Sequence, residues 1–279
     1  MSSLYRRTPA ALALGAICFR DRPFAHILDA ASASAFPGIG LTVGQCVSAL
    51  ERGIALDELP KRIADAGLTV AELELVRMAE DGPVRHANAL VEELIGVLDP
   101  DRVHVAAFTG EPARIADDFA AVCERHPGTP IAVEFMPYSA VRDLAAGRRL
   151  VAHAGTPNAA VVLDIVHFFR SGGVTADLTD EVLREVAVVQ LSDVSARPGV
   201  ELAREARHLR TYPGRGGLDT VGFLRRIGEV AERFPPVSVE PISDALERLP
   251  LDVVAEEVMF TTLRVLDLAR SAQGSPHST

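Results

Sequence analysis

Lysine is nearly missing from this chain: Lys61 is the only one among 279 residues, and the formal net charge is −10. A nucleic-acid or anionic-membrane partner needs a basic face to meet its phosphates, so neither is expected. Lys61 sits in DELPKRIADAG, a charged helical face, which argues against Schiff-base chemistry. Cysteine is sparse too. Cys18, Cys46 and Cys123 form an odd set with no short spacing, which opposes a disulfide framework or a zinc knuckle. They read as reduced, buried thiols of a cytoplasmic protein. No apolar run reaches membrane length. The start, MSSLYRRTPAALALGAICFRDR, imitates a targeting signal, but its apolar run is short, lacks a small-x-small cleavage site and ends in FRDR. Residues 12–19 are expected instead as core strand. Glycine is absent from the turn that follows, FRDRPF, which disfavours an open, doubly wound sheet with a phosphate-binding first turn.

What is there is an alternation of short apolar runs and longer amphipathic stretches. Strands are expected at 11–19, 38–42, 68–76, 102–108, 130–135, 159–165, 186–192 and 236–240. Helical patterns lie between them, at 22–34, 43–53 with 56–67, 85–98, 112–126, 138–155, 177–186 and 218–234, and a last one covers 251–271. The strands are continuous Val/Ile/Leu/Ala runs, as expected when both faces are buried. Eight such units fit a (β/α)8 barrel, which typically takes about 250 residues. The expected fold class is therefore α/β, a single (β/α)8 TIM barrel over residues 1–270, with a small, polar, disordered tail at 271–279.

In such a barrel, function sits at the C-terminal strand ends. There the apolar runs terminate in oxygen-bearing side chains: Glu134 in IAVE, Asp164 in VVLD, Gln190 and Asp193 in VVQLSD, and Glu240 in VSVE. One such residue reads as a helix cap or turn acceptor. Four successive strands ending this way need a compensating cation, because crowded carboxylates repel one another. Glu134, Asp164, Gln190 and Glu240 form an all-oxygen set suited to Mn²⁺ or Mg²⁺ more than to Zn²⁺ or Co²⁺. His167 stands three residues after Asp164 among apolar neighbours. Arg207, His208, Arg210 and Arg215 surround the Pro213-Gly214 turn, and Arg210 is the favoured clamp for a carboxylate or phosphate. The alternative for these arginines is pairing with Glu201, Glu205 or Asp193 at the surface. His104 reads as a barrel-core residue, and Glu74 as facing either the mouth or the helix layer.

VEFMP at 133–137, LDIVH at 163–167, VQLSD at 189–193, RHLRTYPGRGGLD at 207–219 and SVEP at 238–241 together resemble the xylose-isomerase-like TIM-barrel superfamily, in its sugar phosphate isomerase/epimerase group. The resemblance implies one divalent metal held by Glu134, Asp164, position 190 and Glu240. Glutamine at 190, where histidine is commonest, is similar to members that resemble 3-dehydroshikimate dehydratases. It further implies that His167 points at the substrate and that the protein is a homodimer or homotetramer.

The leading expectation is a metal-dependent isomerase or epimerase of a small sugar, sugar phosphate or sugar-like hydroxy-ketone. Its catalytic residues would be Glu134, His167 and Glu240, with the two glutamates moving the proton next to the carbonyl. Arg210, His208, Asp193 and Arg215 would bind a polyhydroxylated substrate. The alternative is a dehydratase of the 3-dehydroshikimate or keto-inositol type on the same metal site, with His167 as base. A DNA-repair endonuclease of this fold would need a histidine-rich multi-zinc site and a basic surface, and this chain has neither. A barrel that binds a ligand without catalysis is opposed by the intact Glu134, Asp164 and Glu240.

Overall fold

Strands that are apolar on both faces must be covered on both. In the computed structural model, which describes residues 12–81 and 83–271, they are covered by closing on themselves and by an outer ring of helices. Eight parallel strands run in sequence order: β1 (Leu12–Gly15), β2 (Gly38–Thr42), β3 (Thr69–Arg77), β4 (Val103–Ala106), β5 (Ile131–Glu134), β6 (Ala159–Asp164), β7 (Val186–Leu191) and β8 (Val237–Val239). β8 pairs with β1 through Ala13 and Ser238, which closes a (β/α)8 TIM barrel. All eight expected strands are found. The first is shorter than its apolar run, because Ala16–Phe19 turns into a 3-10 helix.

The helices are α1 (Phe24–Ala33), α2 (Val43–Glu51), α3 (Leu59–Asp65), α4 (Pro83–Leu98), α5 (Pro112–Arg125), α6 (Leu144–Ala154), α7 (Ile165–Arg170), α8 (Asp180–Arg184), α9 (Leu202–His208), α10 (Thr220–Val230) and α11 (Leu251–Ser271). The tail expected at 271–279 lies, past Ser271, outside the described residues, as does the start of the signal-like segment. Side chains alternate along each strand. Leu14, Ile39, Leu73, Val103, Ile131, Leu163, Val189 and Val239 face outwards and join the helices in the main core. Ala132, Val162 and Val188 form a separate, small cluster on the inner side. Elsewhere the interior combines small residues with buried polar ones: Glu72, Glu74, His104, Glu134, Asp164, Gln190 and Ser238.

Cys18, Cys46 and Cys123 are free and buried, as expected of structural thiols. Burial pushes the Cys46 thiol up to about 12 and Cys123 to about 11, so neither is a nucleophile. Among the described residues, no helix is long and apolar enough to cross a membrane.

Candidate active site at the barrel mouth

Asp164 ends β6 and at the same residue starts α7. Its Oδ1 accepts the backbone N–H of His167 at 2.8 Å, a side-chain cap on a helix of six residues. That turn reading, weighed for any single strand-end acid, thus holds for Asp164, and it also carries His167 into the mouth. Nε2 of His167 lies 3.4 Å from Oε1 of Glu134 and 3.3 Å from Nη2 of Arg210, whereas its Nδ1 has no partner among the described residues. The Tyr138 ring meets the imidazole edge-on at 5.6 Å.

Arg210 is brought in by backbone pairing. Leu209 bridges to Ser243 and Thr211 to Asp193, both antiparallel, and the Arg210 N–H donates to the Ile242 carbonyl at 3.0 Å. The side chain then runs inwards, 3% exposed. Its Nη1 donates to Asp164 Oδ2 at 2.6 Å, to Glu240 Oε1 at 3.1 Å and to Ser192 Oγ at 3.1 Å, and its Nε donates to the Ala206 carbonyl at 2.7 Å. Glu240 is held from its other side by Gln190 Nε2 at 3.0 Å, which leaves the buried Oε1 of Gln190 with no partner among the described residues.

Four buried carboxyl groups, Glu74, Glu134, Asp164 and Glu240, thus share one guanidinium and one imidazole. Burial works against the Asp164 carboxylate, but Arg210 and then His167 outweigh it and hold its pKa below the usual range. Glu240 goes the other way. Burial raises it, Arg210 only partly offsets this, and Glu74, Asp164 and Glu134 add to the rise. Glu74 is likewise pushed well up by burial, Glu72 and Glu134.

Of the residues expected from the sequence, Glu134, Asp164, His167, Gln190, Arg210 and Glu240 come together here. Asp193 and Arg215 stand apart from that cluster, and His208 is a half-exposed neighbour. Asp193 is a loop tie, accepting from the Val194 N–H at 2.9 Å, the Leu218 N–H at 3.1 Å and the Thr220 hydroxyl at 3.4 Å. Nδ1 of His208 pairs with Asp244 at 2.8 Å, and Arg215 pairs with Glu257 of α11 at 2.9 Å. The turn after Arg210 is tight: Gly214 has a φ of +71°, and a Cβ on Gly216 would strike Asp193. Glu74 faces the mouth and His104 the barrel interior. Glu72 and Tyr138 are the residues the sequence reading missed. The alternation in AELELV was the signal for Glu72, and none marked Tyr138, which read as helix start.

The donor chemistry fits a divalent cation. One oxygen each of Glu134 and Asp164 and a ring nitrogen of His167 lie within 4.8 Å of one another. The unpartnered Gln190 Oε1 and the excess of buried carboxyls point the same way.

Comparison with known proteins places these features in a family. The model of the xylose isomerase-like TIM barrel matches residues 24–262. A 3-dehydroshikimate dehydratase from Pseudomonas aeruginosa is 29% identical over 173 residues, covering 60% of this chain. The chain spans only 27% of that relative's length. Among solved structures, the IolI protein with a bound zinc atom superimposes with a TM-score of 0.77 at 16% identity, over 92% of this chain and 98% of that one. An L-ribulose 3-epimerase gives 0.73 at 16% identity, over 97% and 100%. At such identities the likeness is one of fold.

Proposed function

This chain belongs to the xylose isomerase-like TIM barrel family, and from that premise we propose that it is a divalent-metal-dependent dehydratase of a cyclic β-hydroxy-ketone acid of the 3-dehydroshikimate type. The observation that carries this reading is the state of Glu240. An epimerase working with two glutamates needs both free to exchange protons. Here Glu240 accepts hydrogen bonds on both oxygens, Oε1 from Arg210 and Oε2 from Gln190, which tie it in place as a ligand and not as a mobile proton carrier. That leaves His167 as a single base beside Glu134, which suits an elimination. The dehydratase relative supports the same choice.

In this proposal Glu134, Asp164, Glu240 and Oε1 of Gln190 would hold the ion, and His167, whose ring nitrogen lies within 4.8 Å of the Glu134 and Asp164 oxygens, would stay off it to serve the substrate. When bound, the ion would supply Lewis-acid polarisation of the substrate ketone. His167 takes the proton from the carbon next to the ketone. The hydroxyl on the following carbon takes that proton from the His167 imidazolium and leaves as water with the electrons of the C–O bond. With 3-dehydroshikimate, loss of one ring proton and its return to the ketone oxygen then gives 3,4-dihydroxybenzoate. Arg210 fixes Asp164 and orients the imidazole. The 1% exposure of His167 keeps bulk water from the base.

The test is turnover of 3-dehydroshikimate by the purified protein, followed by ultraviolet absorbance with and without chelator. The expected result is an absorbance rise that chelation stops and Mn²⁺ or Mg²⁺ restores. Epimerisation of a free ketose with no ultraviolet change would support the two-glutamate reading instead, which the fold shared with L-ribulose 3-epimerase keeps in view.

A further inference from the structure

Arg210 was the expected anion clamp, yet four of its hydrogen bonds go to Ala206, Asp164, Ser192 and Glu240, and it is buried. A substrate carboxylate would need a guanidinium that is not already committed. Arg207, three residues earlier and at the rim of the same mouth, is one. Its side chain is exposed and has no carboxylate or other hydrogen-bond partner among the described residues. It is nevertheless held in place. Its Cζ lies 5.5 Å from the centroid of the Phe108 ring and 5.5 Å from that of Tyr138. Stacking on two rings fixes the plane of a guanidinium and leaves its edge free for two parallel hydrogen bonds. Its backbone is anchored as well, since the Arg207 carbonyl accepts from Nη1 of Arg20 at 3.1 Å.

We infer that Arg207 binds the carboxylate of the substrate and thereby sets its orientation. This rests on the site assignment above: the Tyr138 ring that supports Arg207 also touches His167 edge-on. One aromatic ring therefore separates the proposed base from the proposed anion contact, a span that a six-membered ring with an acid substituent can bridge. The floor of the mouth is acidic and rejects an anion, so a carboxylate-bearing ligand has one favourable polarity, acid group to the rim and ketone to the floor. Arg77 also lies 5.1 Å from the Phe108 centroid, but its charge is already met by Glu80 at 2.6 Å.

The test compares Arg207→Gln and Arg207→Lys with the wild type on 3-dehydroshikimate and on its methyl ester. Removing the clamp should raise KM for the acid by about thirtyfold with kcat changed less than about threefold, since an ion pair of this kind contributes to binding more than to chemistry. Lysine should recover part of the loss, and the ester should not distinguish variant from wild type. Equal KM values for the acid in wild type and Arg207→Gln would overturn the inference. Calorimetry with 3,4-dihydroxybenzoate and with catechol separates this from the proposed reaction. The wild type should prefer the carboxylate by at least about tenfold and Arg207→Gln should not, whether or not 3-dehydroshikimate is turned over. No carboxylate preference in the wild type, or an equal one in the variant, would also overturn it.

Discussion

Two layers of buried acid lie one above the other inside this barrel. The lower contains Glu72 of β3, and the upper contains Glu74, two residues further along the same strand, with Glu134, Asp164 and Glu240. In the lower layer the chain supplies partners for both oxygens of Glu72, although Nδ1 of His104 has none among the described residues. His104 Nε2 lies 3.2 Å from Glu72, Arg102 Nη1 lies 3.5 Å away, and the Ser238 hydroxyl donates to it. Gly40 leaves the room, since a Cβ there would overlap the Glu72 carboxyl. Burial alone would raise Glu72, but His104, Arg102 and Ser238 outweigh it and bring its pKa down to about 2. In the upper layer one guanidinium serves several acids, and Glu74 and Glu240 are pushed up. Oε1 of Glu74 has no partner among the described residues. The same residue type, on the same strand, is completed by protein in one layer and left incomplete in the other. A layer built only for stability would resemble the lower one. The upper layer is the one expected to bind something from outside.

That contrast breaks most sharply with crossed substitutions. His167→Asn should lower kcat by about a thousandfold, the usual scale for a positioned base, while the melting temperature changes little. Arg102→Met should do the reverse. Leaving Glu72 short of its cation should destabilise the fold by about 3 kcal/mol in urea titrations, with kcat retained in the folded fraction.

The layers should also respond oppositely to pH. The folded pKa of Glu72 is about 2 against an ordinary value of 4.5. Its contribution, about 3 kcal/mol, is therefore complete above pH 4.5 and is lost as pH falls towards 2. Glu74 is raised above the same 4.5, so in ion-free protein its contribution declines as pH rises past 4.5 and levels off above its folded pKa. Urea midpoints across pH should show Glu72→Gln flattening the acid limb and Glu74→Gln flattening the opposite slope. The smallest effect is expected at the surface. Arg215→Ala, which removes a half-exposed pair with Glu257, should change stability by less than about 1 kcal/mol and leave KM unaltered.

The barrel itself was legible because apolar runs and turn residues repeat eight times, and each run produced a strand. Glu134, Asp164, Gln190 and Glu240 were legible because a polar residue ending such a run has nowhere to go but the mouth. What escaped depended on distant pairing. The inward path of Arg210 is set by backbone bonds to Asp193 and Ile242 and by acids 46 and 30 residues away. Nothing in RHLRTYPGRGG separates that role from the one proposed for Arg207. Of the helix Ile165–Arg170 only Ile165 was placed, as the last residue of the strand, because its cap, Asp164, was already assigned there. The segment before α6 read as helix from 138, but Ser139 folds it into a turn by donating to the Met136 and Val141 carbonyls, and Asp143 caps the helix later. Glu72 escaped because an interior of small and charged residues reverses the usual equation of apolar with buried.

In the proposed site a divalent cation completes the upper layer. The most direct measurement is the melting temperature of chelator-treated protein titrated with Mn²⁺, in the wild type and in Glu134→Ala. A saturable rise of several degrees is expected in the wild type, about 2–3 kcal/mol of stabilisation at a hundredfold excess over Kd, and none in the variant. No rise in the wild type, or an equal rise in both proteins, would contradict it.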